Sequence, residues 1–272
     1  MVRDADTLPI RSPWPVGEPA APVGDGADDG IGDGTVRIWL ADLDRPPLPA
    51  EHLERHLSSD ERARAARFRF DVHRRRFATG RGLLRELLGR LLGAAPASLS
   101  FAYGAKGKPS LPGSGLGFNL SHSQNAALLG VCRGRELGVD IEHMRRLDDA
   151  AGLVERFFAP REREIYAGLP GPERLAGFYT GWTRKEAYVK ARGDGLSLPT
   201  TAFEVEMAPG SRARLLRFEE EPDEVGRWTL AGLEPADGFL GAVAVEAPSG
   251  EQGPGEDELE PLPGFWAARS AG

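Results

Sequence analysis

The chain has 272 residues, with 41 acidic against 34 basic side chains, a formal charge of −7 and a sequence pI near 5.4. At 40% hydrophobic and 28% charged it can bury a core, and no stretch approaches the roughly 18 apolar residues of a spanning helix, so fibrous, membrane and wholly disordered classes are excluded. The single cysteine, Cys132, forbids an internal disulfide framework and a cysteine-based zinc site, and the acidic total argues against nucleic acid as a partner.

The charge is unevenly placed. Residues 1–34 hold seven acidic and two basic side chains, and residues 249–272 hold five and one. Both stretches are rich in Gly and Pro without hydrophobic periodicity, and they read as disordered acidic tails with no part in the core. The first of them has no apolar signal core, so the expectation is a cytoplasmic protein. Residues 35–248 then sum to +2, and within them residues 61–90 carry ten arginines against Glu61, Asp71 and Glu86.

From Val36 the chain alternates Val36, Ile38 and Leu40 with Arg37, Trp39 and Ala41, which predicts a strand. Ser58 and Glu61 have capping-box spacing, and the region behind them is free of Gly and Pro up to Thr79. Leucines 83, 84, 87, 88, 91 and 92 continue it as a core-facing helix to Gly93 and Pro96. Phe101 to Tyr103 reads as a short strand and the Pro/Gly-rich stretch after it as a loop. Ala126–Cys132 and Leu137–Glu142 read as two strands joined by a turn around Gly134. Pro160 fits the first turn of a helix over Arg161–Ala167, and a second helix spans Glu173–Arg192, with Leu175, Phe178, Tyr179 and Trp182 as its buried stripe and Gly193 as its stop. Strands follow near residues 203–207, 214–218, 228–231 and 241–245. This order lacks βαβ alternation and predicts an α+β fold. Phe77, Thr79 and Gly80 recur as Phe178, Thr180 and Gly181, a faint sign of two related halves.

Four clusters could carry chemistry. Asp140 and Glu142 in GVDIE share one face of a strand, with Cα atoms about 6.6 Å apart. Such a pair suits Mg²⁺, or it is a strand end meeting solvent. In WTRKEAYVK, Trp182, Glu186 and Lys190 follow one another at helical spacing on one ridge. Glu186 and Lys190 fit a solvated ion pair, but Trp182 turns the ridge toward a core or cleft. In FNLSHS, Ser121 and His122 lack a nucleophile elbow, so a hydrolase is not expected. His122 and Lys108 of GKP are suited to donating to a phosphate, with a structural loop histidine as the alternative. The arginine sector is a solvated helix face, a nucleic-acid surface without any accompanying recognition motif, or the source of two or three phosphate contacts. His52 and His56 stand at i,i+4 without an HExxH pattern or an apparent third ligand, so no zinc site is expected there. Gly113, Gly115 and Gly117 lie in a loop and make no dinucleotide fingerprint.

In order and spacing, GKP, FNLSHS, GVDIE, WTRKEAYVK and GDGLSLP closely resemble the surfactin-type 4′-phosphopantetheinyl transferases over about residues 58–205. The resemblance implies two pseudo-symmetric α+β halves, residues 35–137 binding coenzyme A phosphates and residues 138–248 carrying the metal and catalytic acids, with the active site in the cleft between them. It implies transfer of the 4′-phosphopantetheine arm of coenzyme A to a serine of an apo acyl or peptidyl carrier protein, such as those of nonribosomal peptide or polyketide synthesis. Adenosine 3′,5′-bisphosphate is the other product and Mg²⁺ is required. Asp140 and Glu142 match the family's metal-binding acids, and Glu186 its third acid, as base or ligand. Lys190 matches the lysine near the transferred phosphate. Ser121, His122, Lys108, Arg64 and Arg76 fall where the family contacts coenzyme A. A monomer that binds neither nucleic acid nor membrane is expected. The rival readings are a Mg²⁺-dependent nucleotide phosphodiesterase and a non-catalytic nucleic-acid-binding module.

Overall fold

A computed structural model describes residue 31 and residues 35–247. Strand β1 (Val36–Asp42) leads into helices α1 (Ala50–Arg55), α2 (Ser59–Ala65) and α3 (Asp71–Leu92). A short hairpin of β2 (Ala102–Tyr103) and β3 (Pro109–Ser110) precedes β4 (Leu116–Ser123), β5 (Ala126–Arg133) and β6 (Leu137–His143). Then come α4 (Ala150–Phe157), α5 (Pro160–Gly168), α6 (Arg174–Arg192), β7 (Phe203–Val205), β8 (Leu215–Phe218), the one-turn α7 (Glu224–Arg227), β9 (Trp228–Leu233) and β10 (Phe239–Glu246).

Two three-stranded antiparallel sheets, β1-β5-β4 and β6-β10-β9, form the centre. Because side chains alternate across a strand, each sheet has two apolar faces to cover. On one sheet, Trp39, Phe118, Leu129 and Val131 meet Leu83, Leu84, Leu87 and Leu88 of α3. On the other, Ala242, Ala244 and Leu230 meet Ala187, Tyr188 and Ala191 of α6. The remaining faces pack on each other through Ile38, Leu40 and Leu128 on one side and Val139, Ile141 and Val243 on the other. The result is a helix–sheet–sheet–helix stack of α+β class, and the Phe-x-Thr-Gly echo lies on its two outer helices, α3 and α6. No helix among the described residues is long and apolar enough to cross a membrane.

The structure differs from the sequence expectation in four places. The acidic stretches lie outside the described residues, except that Ile31 is buried in the α3 core and accepts a hydrogen bond from Arg133 at its carbonyl, so this one residue of the N-terminal stretch does take part in the core. FNLSHS is part of β4 and not a loop. Strands β5 and β6 are joined by a turn at Gly134 as expected, but they do not pair: the turn carries the chain from one sheet to the other.

The Arg-rich helical region is broken between Ala66 and Phe70. The capping box at Ser58 is present, and the same Glu61 that closes it pairs through Oε1 with Arg81 and through Oε2 with Arg85 of α3 (2.6 Å). In one straight helix Glu61 and Arg81 would be about 30 Å apart, so their pairing requires α2 to fold back onto α3.

Glu61 and Arg85 are each 2% exposed. Burial pushes the Glu61 carboxyl upward, but the Arg81 charge, the Ser58 N–H and the two guanidinium hydrogen bonds outweigh it and hold its pKa below the ordinary 4.5. A carboxylate whose pKa is depressed on folding stabilises the fold above its unfolded value, and that contribution is lost as pH falls through the folded pKa. Glu61→Gln, which strands buried Arg85, should cost about 3–5 kcal/mol in urea unfolding at pH 7. The difference from wild type should shrink as pH is lowered below about 4.5.

Candidate active site

Strand β6 turns Leu137, Val139 and Ile141 into the inter-sheet core, which leaves Gly138, Asp140 and Glu142 facing α6. Only glycine fits at 138: an added Cβ would lie 2.2 Å from the Ala187 carbonyl oxygen and 2.3 Å from the Ala191 nitrogen. The helix therefore rests on the strand backbone, and the next residues on that face meet the helix's Glu186 and Lys190. The Lys190 Nζ lies 2.5 Å from Asp140 Oδ1 and 3.0 Å from Ser121 Oγ. Lys190 is thus paired across the layers with Asp140, and the solvated Glu186–Lys190 pair is not formed.

Strand β4 lies alongside β6 without backbone pairing, and its odd-numbered side chains close the gap. Asn119 Oδ1 accepts the Val139 N–H at 3.0 Å, and Ser121 Oγ donates to Asp140 Oδ1 at 3.0 Å. Ser123 Oγ donates to Glu142 Oε2 at 2.7 Å and accepts the His143 N–H at 3.1 Å. Asn119 and Ser123 are site-building residues that motif reasoning missed. The alternation of Phe118 and Leu120 with Asn119, Ser121 and Ser123 is a period-two signal that could have found them.

Asp140 is 3% exposed, and Glu142 and Glu186 are half-buried beside it. All three carboxyls are pushed above their ordinary values. Burial is the main cause for each; the Asp140 charge adds to it at Glu142, and the Asp140 and Glu142 charges add at Glu186. Lys190 opposes all three shifts. The buried Oδ2 of Asp140 has no hydrogen-bond partner. A buried carboxylate with one orphaned oxygen, bonded to a single lysine and close enough to two further carboxyls to raise their pKa values, fits a hard divalent cation such as Mg²⁺.

Glu186 and Lys190 also line one end of a cleft of about 690 Å³, whose other walls include Leu120, Phe157, Trp182 and Leu196. Asp140, Glu142, Ser121 and His122 are not on its wall; Asp140 connects to it through Lys190. Buried Lys185, the neighbour of Glu186, holds the cleft-lining loop by donating to the Thr200 and Phe203 carbonyls and pairing with buried Glu162 at 2.7 Å.

The remaining predicted contacts are placed less uniformly. His122 is exposed on β4, and partial desolvation together with the charges of Lys190, Arg76 and His73 keeps its pKa below 6.5. Arg76 makes two hydrogen bonds to Asp44, at 2.9 and 2.6 Å. Lys108 lines the cleft, with its amine 2.5 Å from both Glu136 and the Ala191 carbonyl. Arg64 is not brought to the acids: it lies 5.2 Å over the Phe77 ring, in a surface depression with Asp60, Arg67 and Phe68.

Comparison with known proteins shows the family. Residues 136–242 match the family described as the 4′-phosphopantetheinyl transferase superfamily. The chain is 44% identical over 214 residues to the 4′-phosphopantetheinyl transferase HetI of Nostoc sp., covering 77% of this chain and 87% of that protein. It is 31% identical to psf-1 of Bacillus pumilus (73% of this chain, 83% of that protein) and 27% identical to Sfp of Bacillus subtilis (78% and 93%), both named 4′-phosphopantetheinyl transferases. The chain belongs to the 4′-phosphopantetheinyl transferase superfamily and is a transferase of that class.

The seam between β4 and β6 is testable by stability. Asn119→Ala leaves the buried Val139 N–H without its acceptor and should cost about 1–3 kcal/mol in urea unfolding.

Proposed function

We propose that this enzyme transfers the 4′-phosphopantetheine arm of coenzyme A to a serine hydroxyl of an apo acyl or peptidyl carrier protein, with Mg²⁺ held by Asp140 and Glu142 and with Glu186 as the base. The observation that supports this best is the mutual electrostatic influence of Asp140, Glu142, Glu186 and Lys190, with Glu186 and Lys190 on the cleft wall and Lys190 bonded to Asp140. When bound, Mg²⁺ would neutralise the pyrophosphate and polarise its phosphorus toward attack.

The chain's own groups do the rest. The serine oxygen attacks the phosphorus nearer the pantetheine, a new P–O bond forms, and the pyrophosphate P–O bond breaks to release adenosine 3′,5′-bisphosphate. Glu186 accepts the serine proton, directly or through water. Lys190 offsets charge developing on the bridging oxygen. Ser121 orients Asp140, and His122, with Arg76 behind it, faces the nucleotide phosphates. Lys108 reaches the cofactor by exchanging Glu136, a 58%-exposed partner, for phosphate. The largely apolar cleft suits the pantetheine chain, with Leu196 at full exposure where a carrier would approach. Arg64 would contribute only to the wider basic field.

Because the cleft is built within one chain, we read the active form as a cytoplasmic monomer. The arginine sector does not favour nucleic acid, since Arg74, Arg76, Arg81, Arg85 and Arg90 are engaged with carboxylates.

The deciding measurement is the intact mass of an apo carrier incubated with coenzyme A, Mg²⁺ and the enzyme. A phosphopantetheine-sized gain is expected; coenzyme A cleavage without carrier labelling would make the protein a phosphodiesterase instead. Asp140→Ala should abolish labelling, and Mg²⁺-dependent turnover at the wild-type rate would refute its assignment. Glu186→Gln should slow transfer by roughly 10²–10⁴-fold while coenzyme A affinity is largely retained. In the metal-free protein all three carboxyl pKa values are raised, so Mg²⁺ affinity should fall as pH is lowered, because the cation must displace protons from its ligands.

A further inference from the structure

Away from the cleft, α1 and α3 assemble a group of side chains that phosphopantetheine transfer does not use. His52 on α1 and His56 at its C-cap stand one turn apart, and their Nε2 atoms lie 3.7 and 2.8 Å from Oε2 of Glu86 on α3. All three donor atoms fall within 4.8 Å of one another. Ligands about 2.0–2.1 Å from a tetrahedral zinc ion are about 3.3 Å apart, a spacing bracketed by the two observed distances. The sequence offered no third ligand because Glu86 lies a whole helix away from the histidines; the fold supplies it.

The scaffold is rigid where the site needs it. A Cβ on Gly82 would lie 2.6 Å from both the Cβ and the carbonyl oxygen of Leu53, so α1 is seated on the backbone of α3. Arg90 Nε donates to Glu86 Oε1 at 2.7 Å, which fixes the carboxylate and directs Oε2 at the imidazoles. That arrangement matches the outer-shell support usual around metal ligands. The His56 Nε2 lies 2.8 Å from Glu86 Oε2, so the imidazole nitrogen and the carboxylate oxygen are directed at each other. The His52 side chain is 39% exposed and the other two are 12% and 9% exposed, so the cluster is open to solvent on one side only.

We propose that His52, His56 and Glu86 bind a divalent transition-metal ion of the zinc class, with water completing the shell on the exposed side of His52. Two imidazoles and one carboxylate select late first-row ions over Mg²⁺, in contrast to the all-oxygen set around Asp140. The bound ion clips α1 to α3 and so stabilises the N-terminal sheet's outer layer. The competing description is a plain histidine–glutamate–arginine ion-pair cluster.

The test uses the tag-free full-length protein stripped with chelator and then titrated with Co²⁺ and Zn²⁺. With excess Mg²⁺ present throughout to occupy the acid site at Asp140, expected are one equivalent of Co²⁺ with the visible bands of tetrahedral coordination, its displacement by Zn²⁺ and a melting temperature that rises with zinc concentration. His52→Gln, at the exposed position, should keep the fold by circular dichroism, weaken zinc binding by more than about tenfold and lose the zinc-dependent rise in melting temperature. Absence of binding at micromolar zinc or unchanged affinity in His52→Gln would each overturn the proposal.

Discussion

Two edge strands, β4 and β6, run side by side without a backbone ladder, and the site depends on how side chains close that gap. A bare strand edge exposes unpaired N–H and C=O groups and is normally blunted or covered. Here Asn119 and Ser123 reach across as surrogate acceptors for the N–H groups of Val139 and His143. The two sheets are joined while their edges remain a side-chain length apart. Ser121 sits between those two acceptors and reaches Asp140 from the same face. One polar row therefore satisfies the seam and orients the carboxylates.

The opposite wall of the acid cluster is set by the contact of Gly138 with α6. With the helix axis held that close, the charges of the strand's carboxylates act on the helix's Glu186. The upward pKa shifts of Asp140, Glu142 and Glu186 are the electrostatic consequence. Three carboxylates facing one lysine are under-neutralised, an arrangement disfavoured in a structural core and useful for holding a cation. By contrast Lys185 and Glu162, one residue along the helix, form a matched pair that is 1% exposed on both sides and satisfies nearby backbone groups. Adjacent positions on α6 thus serve different ends: one locks the cleft loop, the other faces the chemistry.

The readable parts of the site were those whose residues are neighbours on one regular element. Asp140 and Glu142 share a strand face and Glu186 and Lys190 a helix ridge, so spacing alone placed each pair. The Asp140–Lys190 contact joins elements 50 residues apart, and only the motif order hinted at it. Strand β4 was hidden by the Gly/Pro-rich approach before it and by a Ser-His pair that drew attention to nucleophile chemistry. The break between α2 and α3 was hidden for a different reason. Nothing local disfavours helix through residues 66–70; the long-range pairing of Glu61 with Arg81 and Arg85 does. Tertiary electrostatics overrode local propensity there, and the same kind of contact brought Glu86 to the histidines.

The sequence charge also changes meaning once partners are known. Residues 61–90 look strongly basic, but Asp44, from outside the span, binds Arg76, while Glu61 engages Arg81 and Arg85, and Glu86 engages Arg90. Much of the apparent field is spent in holding α2 on α3 and α3 on the β1 end of the sheet. What remains near the acids is local: Lys190 between the carboxylates, and Arg76 and His73 close enough to depress His122. A ligand drawn to this region must carry several negative charges within a short length and an apolar continuation for the adjoining cleft. A nucleic-acid backbone has the first property without the second. A pyrophosphate linked to a long, weakly polar arm has both, which is the chemistry the proposed coenzyme A site calls for.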